Sequence, residues 1–283
     1  MWKQGSLQQF AGLCTRTTRS QWLRHYDHHS WRSASSFSTT SEPFYGKPRP
    51  PRTQEPRSVV NRIAVAIHYA TTAFADPTRA DAVAALGEIT GPLTLQRLAQ
   101  QMKQDPVGRR ILQDRPIVSK ATIPYDKLIR EAPTEDSIED PTVTFGQAYG
   151  YFLKSHDFDP DERDQVRFID DAELAYVMLR YRQCHDFWHT LTGLPPTVLG
   201  ELGLKWLELF QTGLPIAALS STVGALRLDP CERDILWNHY LPWAYTQSQT
   251  MNTSLLNVYY EEEFDTPLID LRQRLNLQPA PDL

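Results

Sequence analysis

Residues 171–197 read DAELAYVMLRYRQCHDFWHTLTGLPPT, and the whole architecture follows from how this stretch begins and ends. Asp170 and Asp171 stand where an N-cap and a first-turn acid belong, before a long run from Ala172 without Gly or Pro. Gly193, Pro195 and Pro196 then stop the helix, and Thr197 caps a new one that runs to about Gln211. The spacing therefore predicts two consecutive helices that double back on each other.

Outward from this pair the periodicity stays helical. Val59, Val60, Ile63, Ile67 and Ala70 recur at three- and four-residue steps over 57–75. Comparable patterns cover 78–89, 94–104, 106–113, 144–155 and 230–249, and a last helix is predicted from Pro267, in the favoured first position, to Asn276. Alternating strand patterns are scarce, and Gly-rich phosphate loops and internal repeats are absent. The expected fold class is all-α, a single-domain multi-helix bundle over residues 57–283, about 225 residues, enough to bury roughly 70% of the unfolded surface.

The chain before residue 57 has a different character. Residues 1–41 hold five Lys/Arg, thirteen Ser/Thr and one acid, Asp27, with apolar residues at roughly helical intervals. That profile is expected of a mitochondrial transit peptide, cleaved within residues 32–37, rather than of a secretory signal, which needs an unbroken apolar run. Residues 42–56 carry Pro43, Pro48, Pro50, Pro51 and Pro56 and read as an extended Pro-rich linker.

Charge follows the same division. Residues 1–58 contain nine basic and three acidic groups, which leaves 20 against 31, a net −11, in the rest. A body so acidic repels phosphate backbones, so no nucleic-acid partner is expected. Cys14, Cys184 and Cys231 are too few and too scattered for a disulfide framework, and a reducing compartment fits. Residues 209–226 lack charge but contain Gly213, Pro215 and several polar groups, and do not read as a membrane span. Residues 235–260 are also uncharged, with Trp237, Tyr240, Trp243, Tyr245, Tyr259 and Tyr260 near the ends, which suits a bilayer interface, an apolar ligand groove or plain core packing.

Chemistry concentrates in Cys184-His185-Asp186-Phe187-Trp188-His189. Residues four apart on a helix stand one above the other, so His185 and His189 can share one ion. Glu201 lies in the first turns of the returning helix and supplies a third ligand, placing the metal site between two adjacent helices. Asp186 lies about 100° round the helix from His185 and is expected on the ion or its water, with an orienting role beside the ligands as the alternative. Asp186 also occupies the place where a His-Glu-x-x-His peptidase needs its longer general base, which argues against hydrolysis. One turn back from His185, Tyr181 and Arg182 are candidates for proton transfer and for pairing a substrate carboxylate, although an ion pair with a surface acid explains Arg182 equally well. Lys205 and Glu208 read as a helix salt bridge, Cys184 as inert packing, and His68, His156 and His239 as structural.

At these positions the sequence resembles the mitochondrial ubiquinone (coenzyme Q) biosynthesis protein four family. The family motif is His-Asp-x-x-His, eleven residues, then Glu, and His185, Asp186, His189 and Glu201 match it with that gap. Residues 143–146, 171–178, 180–183, 205–206 and 259–261 are similar to the same family, so the likeness covers about 57–283. The resemblance implies a divalent metal, usually zinc, on the four motif residues. It implies a peripheral position on the matrix face of the mitochondrial inner membrane, with the other proteins of the ubiquinone-biosynthesis complex as partners. The implied reaction is C1 decarboxylation of a 4-hydroxy-3-methoxy-5-polyprenylbenzoate, simple or coupled to C1 hydroxylation, which makes the protein a carbon–carbon lyase. The alternative it leaves open is a non-catalytic lipid-binding scaffold for that complex, with a structural metal.

Overall fold

The longest helix owes its position to capping at both ends. In the computed structural model, which describes residues 68–69, 71–72, 80–138, 140–163 and 165–282, this helix spans Ala172–Thr192. Asp171 Oδ1 accepts from Glu173 N at 2.9 Å and Leu174 N at 3.0 Å, satisfying two orphan N–H groups. At the other end Gly193 takes φ 73, the left-handed C-cap that a side chain would strain.

In chain order the described helices are α1 (Ala80–Thr90), α2 (Pro92–Gln104), α3 (Pro106–Asp114), α4 (Tyr125–Arg130), α5 (Phe145–His156), α6 (Ala172–Thr192), α7 (Val198–Thr212), α8 (Pro215–Gly224), α9 (Pro230–Ile235), α10 (Leu241–Thr250) and α11 (Leu268–Leu275). The described residues contain no strand, only an isolated bridge between Thr144 and Pro267, and the class is all-α. They all fall within one compact unit, Ser58–Asp282. The transit-peptide and linker expectations for 1–41 and 42–56 lie outside the described residues, as does most of the helix predicted over 57–75.

Helix α6 is the axis of the bundle, packed against α2, α3, α5 and α7. Its Tyr176, Val177, Cys184, Phe187, Trp188 and Leu191 are buried. Phe187 meets Tyr149 of α5 with ring centroids 4.6 Å apart and Tyr260 at 5.0 Å. Trp188 Nε1 donates to the Tyr260 hydroxyl at 3.0 Å, and that hydroxyl donates to Leu255 O at 3.0 Å, so the core's polar atoms are spent on one another. The last carbonyls of α6 are also satisfied: Arg272 Nε of α11 donates to Leu191 O at 2.8 Å, and Ala280 N to Thr192 O at 2.8 Å.

The differences from the sequence reading have local causes. Pro267 is the N-cap of α11 rather than its first residue, because its neighbours are drawn into backbone pairing with α5: Phe145 N donates to Thr266 O at 2.8 Å and Leu268 N to Val143 O at 2.9 Å. The helix read as continuous over 230–249 is broken by a π turn at Leu236–Tyr240. Pro242 follows that turn; a proline has no N–H to give and its ring collides with the carbonyl four residues back, so the ladder shifts to the wider register. Helices α4 and α8 are additional: α4 is only six residues long, and α8 lies in the uncharged stretch examined only for membrane spanning. No helix among the described residues is long and apolar enough to cross a membrane.

Candidate metal centre

The loop between α6 and α7 sets the site. Helix α7 opens on Thr197, whose hydroxyl accepts from Gly200 N at 3.2 Å. A Cβ on Gly200 would lie 2.0 Å from the Pro195 carbonyl oxygen, so only glycine lets the first turn of α7 close this tightly onto the loop. The next residue is Glu201, and the tight closure swings its carboxylate over the last two turns of α6.

There it meets both histidines. Glu201 Oε2 lies 3.1 Å from His185 Nε2, Glu201 Oε1 lies 3.2 Å from His189 Nε2, and the two Nε2 atoms are 3.2 Å apart. These three residues offer ligand atoms all within 4.8 Å of one another. His189 is buried, while the side chains of His185 and Glu201 are 14% and 36% exposed, so the cluster has a solvent-facing side.

Both imidazoles are turned by acceptors behind them. His189 Nδ1 lies 2.8 Å from Leu194 O and His185 Nδ1 lies 2.7 Å from Glu208 Oε1. A carbonyl and a carboxylate can only accept, so each Nδ1 carries a proton and each Nε2 is turned toward Glu201, placed to ligate through its lone pair in the neutral ring. Nitrogens and a carboxylate this close are held together by a shared proton or by a cation among them, and two nitrogens with a carboxylate oxygen are a set that a divalent transition metal accepts. The residues therefore fit a metal.

Glu208 is the residue that the sequence reading valued too lightly. The salt bridge with Lys205 is present, at 2.7 Å, but the fully buried Glu208 also holds His185 and accepts from the Tyr181 hydroxyl. Burial alone would raise its carboxyl, yet Lys205 and His185 outweigh that and hold it down at about 2. Seven residues beyond Glu201 on the same helical face, with Lys205 between, was the signal that marked it.

The remaining predicted residues are placed as follows. Asp186 is not brought into the three-residue cluster; its carboxylate, 5% exposed, pairs with Arg163 from the loop before α6. Arg182 donates to the buried Glu88 at 2.8 Å, and Glu88 also accepts from Arg167 N at 2.7 Å and from Phe168 N. Burial and the adjacent Glu208 carboxylate push the Tyr181 phenol well above its ordinary range, so it stays protonated. Cys184 is fully buried and its thiol is raised to about 12 by burial, which keeps it unreactive packing. His156 stands close by, its ring 4.9 Å from Phe152, which in turn stacks on His189 at 5.4 Å. Of the aromatics in 235–260, Tyr260 is core, whereas Trp237 and Tyr245 are 40% and 56% exposed.

Known proteins are similar to this chain over most of its length. A ubiquinone biosynthesis protein COQ4 homolog, mitochondrial, from Bos taurus is 43% identical over 226 residues, covering 80% of this chain and 82% of its own. A mitochondrial homolog of the same name from Nematostella vectensis is 44% identical over 211 residues, 74% of this chain and 97% of its own. A crystal structure from Nostoc punctiforme PCC 73102 superposes with a TM-score of 0.58 over 76% of this chain and 95% of its own, and at 19% identity shows a shared fold. The family described as "Coenzyme Q (ubiquinone) biosynthesis protein Coq4" matches residues 52–281, and with relatives this similar over most of its length the chain belongs to that family.

Proposed function

We propose that this protein removes the C1 carboxyl group of a 4-hydroxy-3-methoxy-5-polyprenylbenzoate during ubiquinone biosynthesis, using a divalent metal, zinc by preference, held by His185, His189 and Glu201. The observation that carries the reading is the convergence of two oriented Nε2 atoms and one carboxylate on a centre that still has an open side. A purely structural four-ligand site would be closed.

When bound, the metal supplies Lewis acidity toward the substrate's carboxylate or phenolate. The protein's own groups set up the rest. Leu194 O and Glu208 fix the ring orientations of His189 and His185, and Lys205 neutralises Glu208 so that burying it is tolerable. Asp186, the remaining residue of the family motif, pairs with Arg163 and lies outside the three-residue cluster. In the reaction the C1–carboxyl bond breaks, its electron pair stays on C1 as CO₂ leaves, and C1 takes up a proton; the oxidative variant would instead put one atom of O₂ on C1 and need a two-electron reductant to carry the other to water.

The site of action is proposed to be the matrix face of the mitochondrial inner membrane, peripherally attached and beside the other proteins of the ubiquinone-biosynthesis complex. The names of the mitochondrial relatives support the organelle. The competing reading is a lipid-binding scaffold whose metal only joins α6 to α7, and the exposed Trp237 and Tyr245 favour it. Glu201→Ala separates the two. Metal content, complex assembly and conversion of the prenylated hydroxybenzoate, with and without O₂, are measured side by side. Loss of turnover with assembly intact supports the lyase; loss of assembly with no turnover in the unaltered protein supports the scaffold.

A further inference from the structure

The proposed substrate brings a carboxylate into an already acidic neighbourhood, so a cation must receive it. Three of the cations near the centre are committed to buried acids: Arg180 to Glu261, Arg182 to Glu88 and Lys205 to Glu208, whose side chains are 14%, 2% and 0% exposed. Arg163 differs from them. Its guanidinium meets Asp186, and its side chain is 32% exposed, against 0%, 11% and 21% for Arg180, Arg182 and Lys205, so among these cations its five-donor group is the one most open to a further acceptor.

Its position is fixed by the loop that carries it. On one side Lys120 Nζ holds Asp159 at 2.6 Å and Lys120 N donates to Asp161 at 3.0 Å. On the other, Glu88 accepts from Arg167 N and Phe168 N and is itself clamped by Arg182. Asp186 immediately follows His185 on α6, so the ion pair with Asp186 ties the guanidinium to the residue adjoining a ligand. An aromatic cluster borders the ligand His189. Phe158, five residues before Arg163, packs on Phe152 at 5.7 Å and on His156 at 5.6 Å, and Phe152 stacks on His189. A held cation, an aromatic cluster and a metal centre together match an aryl carboxylate.

Resting on the decarboxylation reading above, we propose that Arg163 is the residue that binds the substrate's C1 carboxylate, sharing its fork between Asp186 and the incoming anion. It distinguishes the carboxylated substrate from the phenol that remains after CO₂ has left.

The test measures binding to the zinc-loaded full chain of two probes, a 4-hydroxy-3-methoxy-5-prenylbenzoate with one isoprenoid unit and the same prenylated methoxyphenol lacking the carboxyl group. The unaltered protein is expected to prefer the benzoate. Arg163→Ala should weaken benzoate binding about 10- to 100-fold, the range for a lost charge-assisted hydrogen bond. Phenol binding and zinc stoichiometry should be unchanged, and Arg163→Lys should recover part of the preference. Because Arg163→Ala leaves Asp186 unpaired, Arg163→Gln, which keeps an amide donor for Asp186, should show the same selective loss if the alanine variant does not fold. An equal loss for both probes, an undiminished benzoate preference, loss of zinc, or no preference in the unaltered protein overturns the assignment. A preserved benzoate preference without any turnover in the unaltered protein instead refutes the decarboxylation reading and leaves Arg163 as an aryl-carboxylate site.

Discussion

His185 Nδ1 meets Glu208 Oε1 at 2.7 Å, and this one hydrogen bond decides which imidazole nitrogen is left for a metal. Glu208 is fully buried, two turns along α7 from Glu201, so the helix that supplies one ligand also orients another. Replacing it tests that division of labour. Glu208→Gln keeps the shape, but its neutral amide can offer the ring a donor as readily as an acceptor and leaves Lys205 unneutralised. Zinc affinity should fall about 10- to 100-fold, the usual cost of losing a partner behind a ligating histidine. A competition titration against a chromogenic chelator reads it, and an unaltered affinity would show that the contact does not orient His185.

Glu208 also makes stability depend on pH. Its carboxyl is held at about 2, below its ordinary value of 4.5, so folding favours the ionised form. The resulting stabilisation is complete above about 4.5 and disappears as the pH falls through that value toward about 2. In metal-free protein, the gap in urea-unfolding free energy between the unaltered chain and Glu208→Gln should be widest near neutrality and close across that acid window. A gap that stays constant would mean the carboxylate gains nothing from Lys205 and His185.

Gly200 is expected to be intolerant of even one methyl group. Its Cβ would sit 2.0 Å from Pro195 O, a backbone atom that no rotamer change can move. Gly200→Ala should cost about 1–3 kcal/mol, as overpacking does, and should weaken zinc binding as well, because the turn that shifts is the one carrying Glu201. Thermal melts with and without zinc separate the two effects: the stabilisation by zinc should shrink in the variant.

The Arg180–Glu261 pair, whose arginine stands five residues before His185 on α6, governs stability without joining the metal cluster. Arg180 is fully buried, and its guanidinium donates to Glu261 and, at 3.0 Å, to Val258 O. Glu261→Ala strands that charge in the core and should destabilise the fold by about 3–5 kcal/mol, with zinc affinity of the folded fraction unchanged. Urea denaturation followed by intrinsic fluorescence checks the first part, and zinc titration below the transition checks the second.

Much of this was legible from local chemistry. Asp171, Thr197, Gly193 and Gly213 act at helix ends within a turn of themselves, so the bounds of α6 and α7 could be read almost to the residue. Apolar periodicity also placed α2, α3 and α5. Helix α4 carried no such signal, since six residues are too few to establish a period. The π turn before Pro242 escaped because a proline announces a disturbance but not whether the helix will bend, stop or widen.

The sequence by itself determined that the chain is helical, that His185 and His189 share a face, and that a carboxylate returns beside them on the next helix, because the periodicity and caps responsible act over a few residues. Only the tertiary structure decided the partners of the charges. Arg163 and Asp186 are 23 positions apart, Arg182 and Glu88 are 94, and Arg180 and Glu261 are 81. A buried ion takes whichever opposite charge the packed helices bring within reach, and no local rule specifies that distance.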